Sequence, residues 1–296
     1  MTDDDSAKTE ADLPVKPDGE PVGTFKPFPS SGHDLARQAA RPDTPQTRSP
    51  TYRLAFDDHD FMNSDAMRGV RLQLELMKPE MALREAGILS TVVLFGGARI
   101  PAPGQAPWAA RNEGQAERLR ANSRFYDEAR HFARLASQHS ANTSGGKEFV
   151  IVTGGGPGVM EAGNRGAADV EAVSIALNIT LPHEQAPNPY VTPELCFNFH
   201  YFALRKMHFL LRAKAMAIFP GGFGTMDELF EALTLIQTGR MARIPVVLFG
   251  GDFWRRAVDF GFLAEEGTIA PGDLELFHFV DTAEEGWAVI RKAYGF

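Results

Sequence analysis

From residue 90 onward, short apolar runs alternate with longer stretches of helical spacing. Thr91 to Phe95 (TVVLF) is an unbroken apolar and β-branched run ending in Gly96-Gly97, and beyond it Phe125, Ala129, Phe132 and Leu135 recur on one helical face. Phe149 to Thr153 (FVIVT) runs into Gly154-Gly155-Gly156-Pro157-Gly158, with a helix expected over about Val159 to Asp169. Further strands are expected at 174–179, 215–219, 245–249 and 277–280, and helices at about 201–212, 225–237, 253–265 and 282–292. Strands without polar alternation belong to sheets covered on both faces, and the helices between them supply the cover. The pattern therefore predicts an α/β fold, a doubly wound, mostly parallel sheet with helices on both faces.

Ahead of this region Met67, Val70, Leu74 and Met77 are spaced for a helix, and Pro79 is expected to begin a second short helix closed by Gly87. Residues 51–89 thus form a helical lead-in to a single compact domain at 90–296. Residues 1–50 hold eight of the 20 prolines and few large apolar side chains. Such a segment buries too little surface to offset its ordering entropy and is expected to be a disordered or loosely packed tail.

Charge changes the picture only locally. Of the formal net charge of -8, residues 1–20 contribute -5 through seven acids against two lysines, leaving about -3 for the rest. No basic stripe suited to a phosphate backbone follows, so nucleic acid is not an expected partner. One cysteine, Cys196, allows neither an intramolecular disulfide nor a cysteine zinc site, and fits a reducing compartment. No apolar run approaches the roughly 20 residues of a membrane span, and the opening Met1-Thr2-Asp3-Asp4-Asp5 is acidic where a secretory leader is basic. A cytoplasmic protein without membrane partners is expected.

Ligands of open α/β sheets bind beyond the carboxyl ends of the strands, where this chain places three glycine-rich turns: Gly96-Gly97, Gly154 to Gly158, and Pro220-Gly221-Gly222-Phe223-Gly224-Thr225. Tight turns need glycine in any protein, but two long glycine loops in one sheet favour an anion held by backbone N–H groups. A dinucleotide fingerprint fails, because its third glycine position is Val159 and no acid ends the next strand. A P-loop fails because Gly158 precedes Val159-Met160. A mononucleotide or sugar phosphate remains. Thr225 and Glu228 have the spacing of a capping box, so Glu228 can be a helix cap, a functional carboxylate, or both at once, since the helix dipole keeps a carboxylate in the first turn ionised. Arg205, among Phe199, His200, Tyr201, Phe202 and Phe209, is placed to offer a planar fork to phosphate or carboxylate. The eight histidines show no metal spacing, and neither a metal nor a cofactor is expected.

The run from Gly154 to Ala162, the pair Arg205-Lys206 and the run from Pro220 to Glu228 together resemble the Lonely Guy (LOG) family, over about residues 90–296. The resemblance implies a Rossmann-like fold, homo-oligomers, and cytokinin riboside 5′-monophosphate phosphoribohydrolase activity; many members carry the label lysine decarboxylase. By resemblance, Arg205 and Glu228 match the family's catalytic pair. Its nucleotide-binding positions fall on Gly96, Gly97, Gly155, Gly156, Gly158, Met160, Glu161, Lys206, Gly221, Gly222, Gly224, Thr225 and Asp227. The chain departs from the common pattern in having Asp227-Glu228 for Glu-Glu, Pro157-Gly158 in the first loop, and 90 N-terminal residues that smaller members lack. The implied reaction is hydrolysis of a purine or cytokinin nucleoside 5′-monophosphate to base and ribose 5-phosphate; the alternative is a non-catalytic nucleotide sensor or carrier. A dimer or higher homo-oligomer is expected, with Phe125, Phe132, Phe230 and Leu233 as its apolar surface.

Overall fold

The computed structural model describes residues 30–181 and 186–296. The chain divides into two compact units, Met1–Met67 and Arg68–Phe296. In the first, the expected tail lies outside the described residues as far as residue 29. Beyond it stand α1 (Ser31–Ala39), α2 (Pro45–Arg48) and α3 (His59–Asn63), none of which buries a residue.

The second unit opens with α4 (Arg68–Glu85), followed by β1 (Thr91–Phe95), α5 (Glu113–Asn122), α6 (Arg124–Ser144), β2 (Val150–Thr153), α7 (Val159–Ala168) and β3 (Ser174–Ile179). Then come β4 (Cys196–Phe199), α8 (Phe202–Leu211), β5 (Ala213–Ile218), α9 (Phe223–Gln237), β6 (Val246–Phe249), α10 (Gly251–Ala257), α11 (Phe260–Glu265), β7 (His278–Val280) and α12 (Ala283–Tyr294). All seven strands pair in parallel, in the order β4-β3-β2-β1-β5-β6-β7. The expected doubly wound, Rossmann-like α/β fold is thus present, and wholly rather than mostly parallel among the described residues.

The apolar strands explain the two covers. Val92 and Leu94 point into one core, with Phe125, Phe132, Ala162 and Trp287 from α6, α7 and α12. Val93 and Phe95 point into the other, with Leu83, Phe209, Leu229 and Trp254 from α4, α8, α9 and α10. The period of two along β1 therefore feeds both layers. Among the described residues no helix is long and apolar enough to cross a membrane.

Several elements differ from expectation. Pro79 does not start a helix; it lies buried inside the continuous α4, which Gly87 closes with φ 70° while the Ile88 N–H reaches back to the Leu83 carbonyl. The helix expected over 253–265 is two, because the Asp259 carboxylate accepts the Phe262 N–H at 2.9 Å and caps a new start. Of the expected association surface, Phe125 and Phe132 fill the sheet's own core and Leu233 packs on the other layer, while Phe230 remains exposed on α9. The stripe left outside is Val70, Leu74, Met77 and Met81 on α4, exposed from 39% to 64%.

Candidate functional site

The chain winds outward from β1 through β2, β3 and β4, then returns to lay β5, β6 and β7 on the opposite side. The order reverses between β1 and β5, and a crevice opens there beyond the strands' carboxyl ends. A cleft of about 810 Å³ occupies this point. Its walls are the loops after β1, β2 and β5. They are stitched together by Gly97 N–H donating to the Pro220 carbonyl at 2.9 Å and by Val159 N–H donating to the Gly97 carbonyl at 3.3 Å.

Glycine is required where these loops touch. At Gly158 φ is 71°, and a Cβ would lie 2.5 Å from the Gly97 carbonyl oxygen; at Gly155 φ is 75°, and a Cβ would lie 2.2 Å from Asn178 Oδ1. Replacing Gly158 by alanine should therefore lower stability by about 2 kcal/mol or more and part the first two loops. Thermal unfolding checks this, and an unchanged midpoint would contradict it.

Arg205 stands on α8 with its Nε donating to the Leu177 carbonyl at 2.7 Å and its guanidinium 5.2 Å from the Phe209 ring centroid. Its fork lies against Gly154, where a Cβ would come 2.6 Å from a terminal nitrogen. The glycine makes room for the arginine. Among the described residues no hydrogen bond uses the two terminal nitrogens, which leaves them for a ligand. Burial holds the guanidinium below its ordinary pKa, opposed by the nearby Glu228 carboxyl.

Glu228 lines the same cleft, yet only 5% of it is exposed. Burial pushes its carboxyl up to about 7, against the pull of Lys206 and Arg205. Two expectations are corrected here. Thr225 does not cap α9: the helix begins at Phe223 with Gly222 as its N-cap and no side-chain cap, so Thr225 is already inside the first turn and buried. Glu228, in the second turn, has no capping-box role, and desolvation rather than the helix dipole governs its ionisation. The uncapped first turn of α9 lines the cleft through Gly222, Phe223, Gly224 and Thr225, and nothing lies within 4 Å of a Cβ built on Gly222 or Gly224. Backbone donors at an open helix start suit an anion.

Of the other positions singled out by sequence, Gly96, Gly97, Met160, Gly221 and Asp227 line the cleft, while Gly155, Gly156, Gly158, Glu161 and Lys206 stand off it. The first three of these shape the loop. Glu161 accepts a hydrogen bond from Tyr126 Oη at 2.7 Å, and burial raises that phenol to about 12. Lys206 spans α8 and α9 through ion pairs to Asp227 at 2.9 Å and Glu231 at 2.8 Å. Sequence reasoning passed over Arg99, Ile100, Leu119, Asn122, Phe202 and Phe253, which complete the wall. Arg99 was within reach, since it follows Gly97 at a strand end; Leu119 and Asn122 come from α5, which carries no amphipathic signal.

Comparison with solved structures places this chain beside TM1055, a structural-genomics target, at 20% identity and TM-score 0.43, covering 69% of this chain and 99% of that one. Two structures of the molybdenum cofactor carrier protein of Chlamydomonas reinhardtii align at 16% and 17% identity with TM-scores of 0.42 and 0.43, covering 70% of this chain and 99% and 98% of theirs. No curated protein matches. Residues 160–290 match the family described as possible lysine decarboxylase, and this segment contains Arg205 and the whole third glycine loop. The resemblance to the Lonely Guy family, whose members often carry that label, is borne out over this part of the chain.

Proposed function

We propose that the chain hydrolyses the N-glycosidic bond of a purine or cytokinin nucleoside 5′-monophosphate, giving free base and ribose 5-phosphate. The observation that carries this reading is a buried carboxyl, Glu228, raised to titrate near neutrality, beside the Arg205 guanidinium, whose two terminal nitrogens have no hydrogen bond among the described residues, in a glycine-walled cleft at the strand-order reversal. Cleavage moves the bonding electrons of the C1′–N bond to the base and leaves positive charge on the ribose. The ionised form of Glu228 stabilises that charge and takes a proton from the water that attacks C1′. A carboxyl with a pKa near neutrality also gives the proton back, and it ends on the base nitrogen. The open start of α9 suits the phosphate, and Arg205 holds the nucleotide.

The decarboxylase label fits the residues poorly. Pyridoxal chemistry needs a lysine free to bond the cofactor, but among the described residues no lysine lines the cleft, and Lys206 is held by two carboxylates. The direct test is incubation of purified protein with AMP and measurement of released adenine. No base from AMP, GMP or IMP, with all three still bound, would refute hydrolysis.

The protein is further proposed to act in the cytoplasm as a homo-oligomer. The α4 stripe of Val70, Leu74, Met77 and Met81, with Met207 and Leu211 on neighbouring α8, is apolar, regular and exposed among the described residues, and a second copy covers it by the same patch on both sides. Light scattering at micromolar concentration should give at least twice 32.4 kDa. A mass of one chain would count against association.

A further inference from the structure

Helix α4 lies ahead of the segment matched by the family model, yet it grips α8, the helix that carries Arg205. The Glu75 carboxylate accepts the backbone N–H of His200 at 2.8 Å with one oxygen and that of Tyr201 at 3.1 Å with the other. These two residues form the whole connection between β4 and α8. No side chain of α8 itself caps the helix, so Glu75 fixes the point at which it leaves the sheet and places negative charge at its positive end. The first helical bond beyond this joint runs from Arg205 N–H to the Tyr201 carbonyl at 3.2 Å. The grip continues toward the other end of α8. His208 Nε2 lies 3.1 Å from the Glu75 carbonyl oxygen, and Arg212 forms a two-pronged ion pair with Glu80. Burial lowers the His208 pKa, and Arg212 lowers that of Glu80.

We propose that Glu75 is a positioning residue for the cleft: by pinning the His200-Tyr201 joint, it sets the height and rotation of α8 and so holds the Arg205 fork against Gly154. The proposal rests on the nucleotide reading for its activity readout, though its geometry does not. A surface ion pair would tolerate exchange of its partner, but this joint has only two residues, and a shift there moves Arg205 bodily. Misplacement of a substrate-holding group by about 1 Å lowers rate by up to roughly a hundredfold.

A double-mutant cycle tests it. Glu75→Ala should lower kcat/KM for AMP at least about tenfold in the wild-type background, mainly through KM, and leave it nearly unchanged in an Arg205→Ala background. Glu75→Gln keeps one accepting oxygen and should recover part of the loss. An equal loss in both backgrounds marks general destabilisation and overturns the proposal, as does no loss in either. Hydrogen exchange reads the joint without any ligand: the amides of residues 200–205 should exchange at least about tenfold faster in Glu75→Ala, and unchanged protection also overturns it. If the wild type releases no base while Glu75→Ala still frees these amides, hydrolysis is refuted and the brace stands.

Discussion

Glu228→Gln is expected to lower AMP hydrolysis by about a hundredfold or more while leaving AMP binding intact or tighter. Gln matches Glu in size and fills the same buried site, so packing survives; what disappears is the charge that faces the ribose in the transition state and the base that accepts the water proton. Undiminished turnover would remove Glu228 from the chemistry, and base release by neither form, with AMP bound by both, would favour the sensor reading.

The same substitution has a stability signature that does not depend on the substrate. Burial raises the Glu228 carboxyl from its ordinary 4.5 to about 7. Between these values the unfolded chain has lost the proton and the native chain retains it, so the native state binds more protons and stability falls as pH rises. The loss starts near pH 4.5 and is complete above pH 7, amounting to about 3 kcal/mol. Glu228→Gln carries no such penalty. Its melting temperature should match wild type near pH 4 and exceed it at pH 8, and equal values at pH 8 would place the carboxyl in a less desolvated site. Turnover of the wild type, if it uses the ionised form, rises with pH through about 7 and levels above 8.

The sheet was legible because six of its strands are runs of apolar and β-branched residues long enough to stand apart from helical spacing. The seventh, β4, was passed over. It interrupts its apolar pattern with exposed Asn198 and is followed after only two residues by α8, into whose apolar positions the run merges. Helix α5 escaped for a related reason: only Ala116 is buried, and its one clear mark is Asn112, whose side chain accepts the Gln115 N–H at 2.9 Å. In the candidate site, glycines and charged side chains announce themselves by type, so Arg205 and Glu228 could be singled out. Register is what the letters hide. Thr225 has the spacing of a cap, but its hydroxyl lies under Gly221, where a Cβ would come within 2.1 Å of it, and the cap position is Gly222, three residues further back. Lys206 sits next to Arg205 in sequence yet projects toward α9, since consecutive helical residues diverge by about 100°. Glu75 was invisible as a contributor because its partners are backbone N–H groups 125 and 126 residues away.

Arg205→Ala should weaken AMP binding by about a hundredfold and depress turnover as well, unlike Glu228→Gln, because the fork both binds the nucleotide in the ground state and holds it in line for the transition state. It should also alter Glu228. The guanidinium is one of two positive groups that draw the carboxyl's pKa down against burial, the other being Lys206. Without it the carboxyl is protonated to higher pH, and the residual rate should reach its midpoint above pH 7. Arg205→Lys separates the two effects. An ammonium restores positive charge but not the planar fork, so the pH midpoint should return toward the wild-type value while AMP binding stays weak. If Arg205→Ala leaves the midpoint in place, the two groups do not share a field; if Arg205→Lys binds AMP as wild type does, charge alone and not the fork anchors the nucleotide.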